Sequence, residues 1–480
     1  MDVHDFEATA VRIRMEADEG RSSGARQQRD GSGAAAPAGT PRLLIDCTQT
    51  MRTPVTTGIQ RVVRNLVKHG QAVAGKRGME LVPIRFNGHV FERATMSADG
   101  ELLVQSCSAQ TLTRRILLRL KKIFINRRVD RQLKRLRQVL FTPSATPAGF
   151  SFLPHDILVL PDSSWTEQIW PEVDRARSGG LVVGVLQHDF IPIRNPELVP
   201  EHSTEIFRRW MTESLSRADF VLAVSHTIAA ECREELRGLR RQRVADQRVG
   251  VCPNGADFKP GRVRGAVRSE LKAFVRGNAG GPYFTLGTIE PRKNQTIVLD
   301  ALDEVLAACP EERFLIAGIV GWKGSGIARR IRGHARYGTN LMLIEDLNDA
   351  EVAYAYEHAK AVVFPSLAEG FGLPIVEAIA RGTRVFASGI AVHQEVGSDF
   401  CVYFDPTDAG HLARVLIGYS KHGTFPATWP PQGFRLPTWQ AAAETMVGAA
   451  VRNARDIRHA AGRIPPGIDH ERPAPERLAS

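Results

Sequence analysis

The chain has 480 residues, 43% hydrophobic and 24% charged, ordinary proportions for a soluble protein with room for two separate cores. No apolar run approaches the roughly 18 residues of a membrane-spanning helix, and the six cysteines have neither metal-ligand nor redox spacing, so reduced thiols in the cytoplasm are expected. A net charge of +11 points to nucleic acid, an anionic membrane or an anionic substrate, and no secretory signal is visible.

Residues 1–40 are small, polar and proline-bearing, and read as a flexible leader. A first domain is expected over 41–258. Arg42–Asp46 predicts a strand, followed by a loop ending in Thr56-Thr57-Gly58-Ile59-Gln60-Arg61 and a helix through His69. Thr57 alone could cap that helix. After a strand at 80–85 comes a basic segment from Arg114 to Arg137, with eleven Lys or Arg and one acid, Asp130. Its apolar residues recur at helical spacing (Ile116, Leu120, Ile123; Val129, Leu133, Leu136, Leu140). Such a segment either docks on an anionic membrane surface or packs on the domain with its charges solvated.

Strands at 156–160 and 181–186 flank a helix, and the second runs into Gln187-His188-Asp189-Phe190-Ile191-Pro192. A helix at 199–217, a strand at 220–224 and a helix capped by Ser225 follow. A last short strand leads to Pro253-Asn254-Gly255-Ala256-Asp257. Residues 259–281, rich in Gly and Arg, read as a linker to a second domain over 282–436. Strands are expected there at Tyr283–Leu286, 313–317, Leu341–Ile344, Ala361–Phe364 and 384–387, with helices between, the pattern of a doubly wound parallel sheet. A terminal helix is expected over 437–453 and a loose tail over 454–480.

Two loops of the second domain carry chemistry. The first, Gly287-Thr288-Ile289-Glu290-Pro291-Arg292-Lys293-Asn294, places adjacent cations after a strand, where Arg292 and Lys293 can clamp two phosphates. The second, Ser366 to Leu373, has glycines at 370 and 372 and leads into a helix opened by Pro374 and closed by Gly382. Unpaired amides at that helix start favour an anion. Glu369 in the loop and Glu377 in the first turn have seven residues between them. Glu377 suits the vicinal hydroxyls of a ribose and Glu369 an attached sugar. The plain alternative is that Glu377 complements the helix dipole and Glu369 is solvated.

Together the P-S-x-x-E-G-F-G-L-P-x-x-E-A string, G-T-x-E-P-R-K-N, the H-D pair, P-N-G-x-D and T-G-I-Q-R resemble retaining glycosyltransferases of family four, which have the GT-B fold. The resemblance covers about residues 42–453. It implies two Rossmann-like domains facing across a cleft, with the terminal helix crossing back to the first. It also implies transfer from a nucleotide diphosphate sugar to a glycan or lipid-linked acceptor, with retention and without a bound metal or cofactor. Implied donor contacts are Gly58, Arg292, Lys293, Glu369, Gly370, Phe371, Gly372, Leu373 and Glu377. His188, Glu369, Arg292 and Lys293 take the catalytic roles. The motif variants look most like bacterial mannosyl- or rhamnosyltransferases of surface polysaccharide assembly, which makes GDP-mannose the first donor to expect.

Three rival readings are a glycosidase using Glu369 and Glu377 across one bond, a non-catalytic nucleotide-sugar or glycan binder, and a nucleic-acid binder. The glycosidase leaves the Arg-Lys pair unexplained, and every motif position checked is filled, against decay of the site. No zinc-finger spacing, RNP-like motif or Walker loop supports specific nucleic-acid binding. If the basic segment holds the protein on the inner face of the cytoplasmic membrane, each charge near an anionic leaflet contributes roughly 1 kcal/mol. Sedimentation with phosphatidylserine liposomes should then be strong at low salt and weak at high salt. Indifference to lipid charge and salt would leave the segment as a solvated face.

Overall fold

The computed structural model describes residues 40–53, 58–97, 101–103, 149–239, 248–257, 265–277 and 280–462. The expected leader, the basic segment and the end of the tail lie outside the described residues, as do Thr56 and Thr57.

The first domain runs β1 (Arg42–Asp46), α1 (Gly58–Gly75), β2 (Glu80–Phe86), β3 (Phe91–Arg93), β4 (Ile157–Leu160), α2 (Trp170–Ser178), β5 (Val182–Gln187), α3 (Glu201–Arg217), β6 (Phe220–Ala223), α4 (His226–Gly238) and β7 (Val249–Val251). Strands such as Ile-Leu-Val-Leu in β4 and Phe-Val-Leu-Ala in β6 are apolar throughout and buried at every position. Sheets covered by helices on both faces have this pattern. The seven strands lie in the order β3-β2-β1-β4-β5-β6-β7, parallel except for the β2–β3 pair. Chain order reverses between β1 and β4, so the loops leaving those two strands diverge and open a crevice.

The second domain starts earlier than the sequence suggests. Residues 269–276, within the expected linker, form α5 (Ser269–Arg276), and its Leu271, Phe274 and Val275 are buried with Phe284 and Val362 in the second core. Its Gly- and Arg-rich flanks obscure a helix with a narrow apolar stripe. Then follow β8 (Tyr283–Leu286), α6 (Gln295–Ala308), β9 (Phe314–Ala317), α7 (Gly324–Arg332), β10 (Leu341–Ile344), α8 (Asp349–His358), β11 (Ala361–Phe364), α9 (Leu373–Ala380), β12 (Val385–Ser388), α10 (Ala391–Gly397), β13 (Cys401–Phe404) and α11 (Ala409–His422). The all-parallel order β10-β9-β8-β11-β12-β13 has its switch between β8 and β11. The Arg292–Lys293 loop leaves β8 and the Glu369 loop leaves β11, so both candidate loops flank one switch point.

The last helix, α12 (Trp439–Ala460), returns to the first domain. Thr438 caps it by accepting from the Ala441 amide, and Asp257 accepts from the Trp439 amide. The P-N-G-x-D segment is therefore the docking point for the returning chain. Met446, Val447 and Ala450 are buried in the first-domain core. Ala454 is buried there too, so seven residues assigned to the loose tail (454–460) are helix.

At the first switch point Asp46 ends β1 and is fully buried, accepting from the Thr48 amide at 3.1 Å and the Ser164 hydroxyl at 2.7 Å. Asp162, after β4, accepts from the Thr50 and Ser163 amides at 2.7 and 2.8 Å. Burial, with the nearby Asp162 charge, pushes Asp46 up from its ordinary 3.8 to about 7, although hydrogen bonds from Thr48 and Ser164 oppose this. A folded pKa above the unfolded one means that the folded state keeps a proton the unfolded chain has lost. This contribution is complete below pH 4 and disappears as pH rises to about 7. Asp46→Asn should accordingly gain stability relative to wild type between about pH 4 and 7, read as a growing difference in urea midpoint. Parallel midpoint curves would show that Asp46 does not titrate in that window.

Candidate functional site

The β8 and β11 loops are joined by charge. Arg292 Nη1 lies 2.9 Å from Glu369 Oε2 and donates to the Ala368 carbonyl at 3.1 Å. Its other face meets Glu290 at 2.8 Å. Lys293 Nζ pairs with the second oxygen of Glu369 and sits 5.2 Å from the centre of the Phe364 ring. The Leu367 amide donates to the Arg292 carbonyl at 2.9 Å, which fixes the backbones together. Burial would raise Glu369, yet Arg292 and Lys293 hold it at about 2. Burial pulls Lys293 below the usual lysine range while Glu369 opposes it. For Arg292 burial works against the charge, but Glu369, Glu290 and Asp189 outweigh it and the pKa rises. The result is a largely buried, ionised triad.

The first domain closes over this triad. His188 Nε2 is 2.7 Å from the Pro161 carbonyl. A carbonyl only accepts, so Nε2 carries the proton, and burial pulls the ring to about 4, leaving it neutral with its lone pair on Nδ1. Asp189 is raised by burial and opposed by Arg292. Gly370 lies directly against this loop: a Cβ there would come within 1.9 Å of the His188 carbonyl oxygen. Ser225 Oγ caps α4 and also donates to the Gly370 carbonyl at 3.0 Å. Glu395 on α10 accepts from the His226 and Thr227 amides at 2.6 and 2.8 Å, so a second-domain carboxylate caps a first-domain helix.

Glu377 is nearly buried and has a partner on each oxygen. Arg61 Nη1 from α1 lies 2.5 Å from Oε1, and the Tyr356 hydroxyl donates to Oε2 at 3.0 Å. Gly58, with φ +54°, opens the helix that carries Arg61.

The structure thus unites Arg292, Lys293, Glu369 and Gly370 with the His188 loop, and places Glu377 on an interdomain ion pair. Phe371 and Leu373, the other two residues of this loop named as donor contacts, pack with the first-domain core where the loop crosses the domain boundary, Phe371 buried and Leu373 half-buried.

Residues 280–427 match the family model for glycosyl transferases group 1. The second domain is a group 1 glycosyltransferase domain. A serotype-specific mannosyltransferase of Escherichia coli is 26% identical over 314 residues, covering 62% of this chain and 37% of that protein. The phosphatidyl-myo-inositol mannosyltransferase of Mycobacterium tuberculosis is 34% identical over 174 residues, 34% of this chain and 43% of that one. The chain therefore spans less than half the length of these relatives. Among solved structures, sucrose-phosphate synthase from Thermosynechococcus elongatus aligns with a TM-score of 0.55 at 16% identity, over 88% of this chain and all of that one. That likeness concerns the fold, two α/β domains of GT-B type.

In the second domain and the part of the first that meets it, sequence reasoning gave no role to Arg61, Asp189, Tyr356, His393 or Glu395, and gave Ser225 only its helix cap, not its bond to Gly370. Arg61 and Asp189 stand inside quoted motifs, three residues beyond Gly58 and one beyond His188. The others become visible only when distant segments meet. Glycosidase chemistry is disfavoured, since a carboxyl held at about 2 cannot serve as a general acid at neutral pH.

Gly370→Ala should hold the domains apart, because the intruding Cβ meets backbone rather than a movable side chain. A rise in radius of gyration by small-angle scattering is expected, with faster hydrogen exchange at the His226 and Thr227 amides that Glu395 caps. Wild-type scattering and exchange would mean that the loop absorbs the methyl group locally.

Proposed function

We propose that the protein is a retaining hexosyltransferase that moves mannose from GDP-mannose to a glycan or lipid-linked acceptor in surface polysaccharide assembly. The observation that carries this reading is the Arg292–Lys293–Glu369 triad at the switch point of the glycosyltransferase domain, ahead of the α9 N-terminus. Two cations held there by one carboxylate suit a diphosphate, whose oxygens can take the place of Glu369 on both. Charge on the leaving diphosphate grows in the transition state, so fixed cations stabilise that state more than the ground state. In this reading they supply the charge that a divalent metal supplies elsewhere. Glu369, released from the cations, is then free for hydroxyls of the transferred sugar.

The ribose is assigned to Glu377, where its hydroxyls replace Arg61 on Oε1. His188, neutral and with a lone pair on Nδ1, is assigned to the acceptor side. The choice of mannose is supported by the similarity to two mannosyltransferases. Among the described residues no helix is long and apolar enough to cross a membrane.

Thermal denaturation with a panel of nucleotide sugars tests the donor. A ligand at 100 times its Kd stabilises by about 2.7 kcal/mol. GDP-mannose should shift the transition most, and a larger shift with a uridine or thymidine sugar would replace it. The carboxylates then separate by calorimetry and turnover. Glu377→Gln should weaken GDP itself by roughly 1.5 to 3 kcal/mol. Glu369→Gln should leave GDP nearly unaffected and cut transfer, and Lys293→Ala should lower kcat more than it raises KM. Equal weakening of GDP by both glutamine variants would overturn the assignment, and full turnover by Lys293→Ala would remove the clamp.

A further inference from the structure

His393, on α10, takes no part in the chemistry assigned above, yet it lies near enough to Glu369 and Lys293 to sense their charges. It is fully buried, and its ring packs on Phe364, the last residue of β11, with centroids 4.9 Å apart. Lys293 Nζ approaches that Phe364 ring as well. The tautomer of His393 follows from its neighbours. Nδ1 is 3.0 Å from the Ser388 carbonyl and 2.9 Å from the Ser388 hydroxyl oxygen. That hydroxyl spends its only proton on the Ser366 carbonyl, at 2.5 Å. Neither Ser388 oxygen has a proton left to give, so Nδ1 must carry one and share it between them.

Burial pulls the ring to about 4, with Glu369 opposing, so His393 is neutral at pH 7. A neutral ring protonated on Nδ1 has a bare lone pair on Nε2. That nitrogen is buried and has no hydrogen-bond partner within the protein. A buried acceptor left unmade costs about as much as a lost hydrogen bond, so such an atom asks for a partner. Its position indicates where the partner belongs. Cδ2, the ring carbon bonded to Nε2, faces Gly372: a Cβ there would lie 3.4 Å from Cδ2, beside the Ile375 and Phe364 side chains. Gly372, at φ +94°, is the residue just before α9. The bare acceptor is thus one bond from the atom that touches the turn between Glu369 and α9.

The chemistry of the partner is restricted. An ionised diphosphate has only acceptors and cannot satisfy a lone pair. A sugar hydroxyl can. We propose that His393 Nε2 accepts a hydrogen bond from one hydroxyl of the transferred hexose, making His393 a determinant of which sugar is used. The inference rests on the reading of this loop as the donor-sugar site. Glu369 and His393 would then hold the sugar from two sides, one as an ionised acceptor and one as a neutral acceptor.

The test pairs His393→Phe, which keeps a ring against Phe364 but has no acceptor, with His393→Gln, which keeps an acceptor oxygen. Turnover of GDP-mannose is compared with that of its 2-, 3-, 4- and 6-deoxy analogues, and GDP binding is measured alongside. In wild type, one analogue should lose about tenfold in kcat/KM relative to GDP-mannose through the hydroxyl that reaches Nε2. His393→Phe should lose about tenfold with GDP-mannose itself, and should no longer distinguish that analogue from the parent. His393→Gln should recover part of both effects, and GDP affinity should stay within about twofold in each variant. The proposal is overturned if His393→Phe ranks the deoxy donors as wild type does, which would make Nε2 the seat of a buried water. It is also overturned if GDP affinity falls in step with turnover. Where His393→Phe does not fold, as judged by its thermal transition, His393→Gln across the deoxy series decides the matter. Failure of wild type to turn over any nucleotide sugar would instead remove the glycosyltransferase reading, and the proposal with it.

Discussion

The arrangement depends on one carboxylate shared by two cations. Glu369 pairs with both Arg292 and Lys293, and it is the carboxylate the two buried cations share. The attraction in such a triad is strong because water is largely excluded, and so is the penalty for removing one member. A site of this kind cannot simply be emptied, but it can be exchanged. In the proposed reading an incoming diphosphate would replace Glu369 without leaving the cations bare, and the displaced carboxylate would stay within reach of the attached sugar. In the proposed reaction, one residue thus keeps the clamp in place before the donor arrives and orients the sugar afterwards. Glu290 and Asp189 around Arg292 keep the guanidinium charged and directed throughout.

The second dependence is between domains. Gly370 touches the His188 backbone, Ser225 bonds the Gly370 carbonyl, Glu395 caps α4, and Arg61 reaches Glu377. Each joins a second-domain element to the first domain. Three of the four involve the Glu369 loop or the helix that follows it. Domain contact and the geometry of the Glu369 loop are consequently one property, and a ligand that displaced Arg61 from Glu377 would alter both. This coupling gives the α1 helix, otherwise distant in sequence, a direct effect on the second domain.

Much of this was legible in the sequence, for a physical reason. Strands buried on both faces have no polar alternation, so Ala361–Phe364 and its counterparts stand out as short apolar runs. The loops at their carboxyl ends carry the residues that no packing argument explains, Arg292, Lys293 and Glu369. What was not legible depends on contacts between distant segments. Phe371 reads as a glycine-loop residue but is buried against the other domain. Ser269–Arg276 has too few apolar residues to announce itself as core without knowledge of the groove it fills. Ala454 extends the terminal helix because the first domain offers a surface there, which no local propensity encodes. His393 is the extreme instance, since its meaning lies in which of its nitrogens is left over, and that is fixed by Ser388 and Ser366.

The two histidines show what the site selects for. His188 gives its proton to the Pro161 carbonyl through Nε2, and His393 gives its proton to Ser388 through Nδ1. In each, a backbone carbonyl fixes the tautomer and burial keeps the ring uncharged. Both rings therefore have a lone pair on the opposite nitrogen and no positive charge. Had either been cationic, it would have competed with Arg292 and Lys293 for anionic oxygens and blurred where a diphosphate rests. Neutral acceptors instead complement the cations. Charge is concentrated in one clamp, and the surroundings offer lone pairs, which suits a ligand that is anionic at one end and rich in hydroxyls at the other.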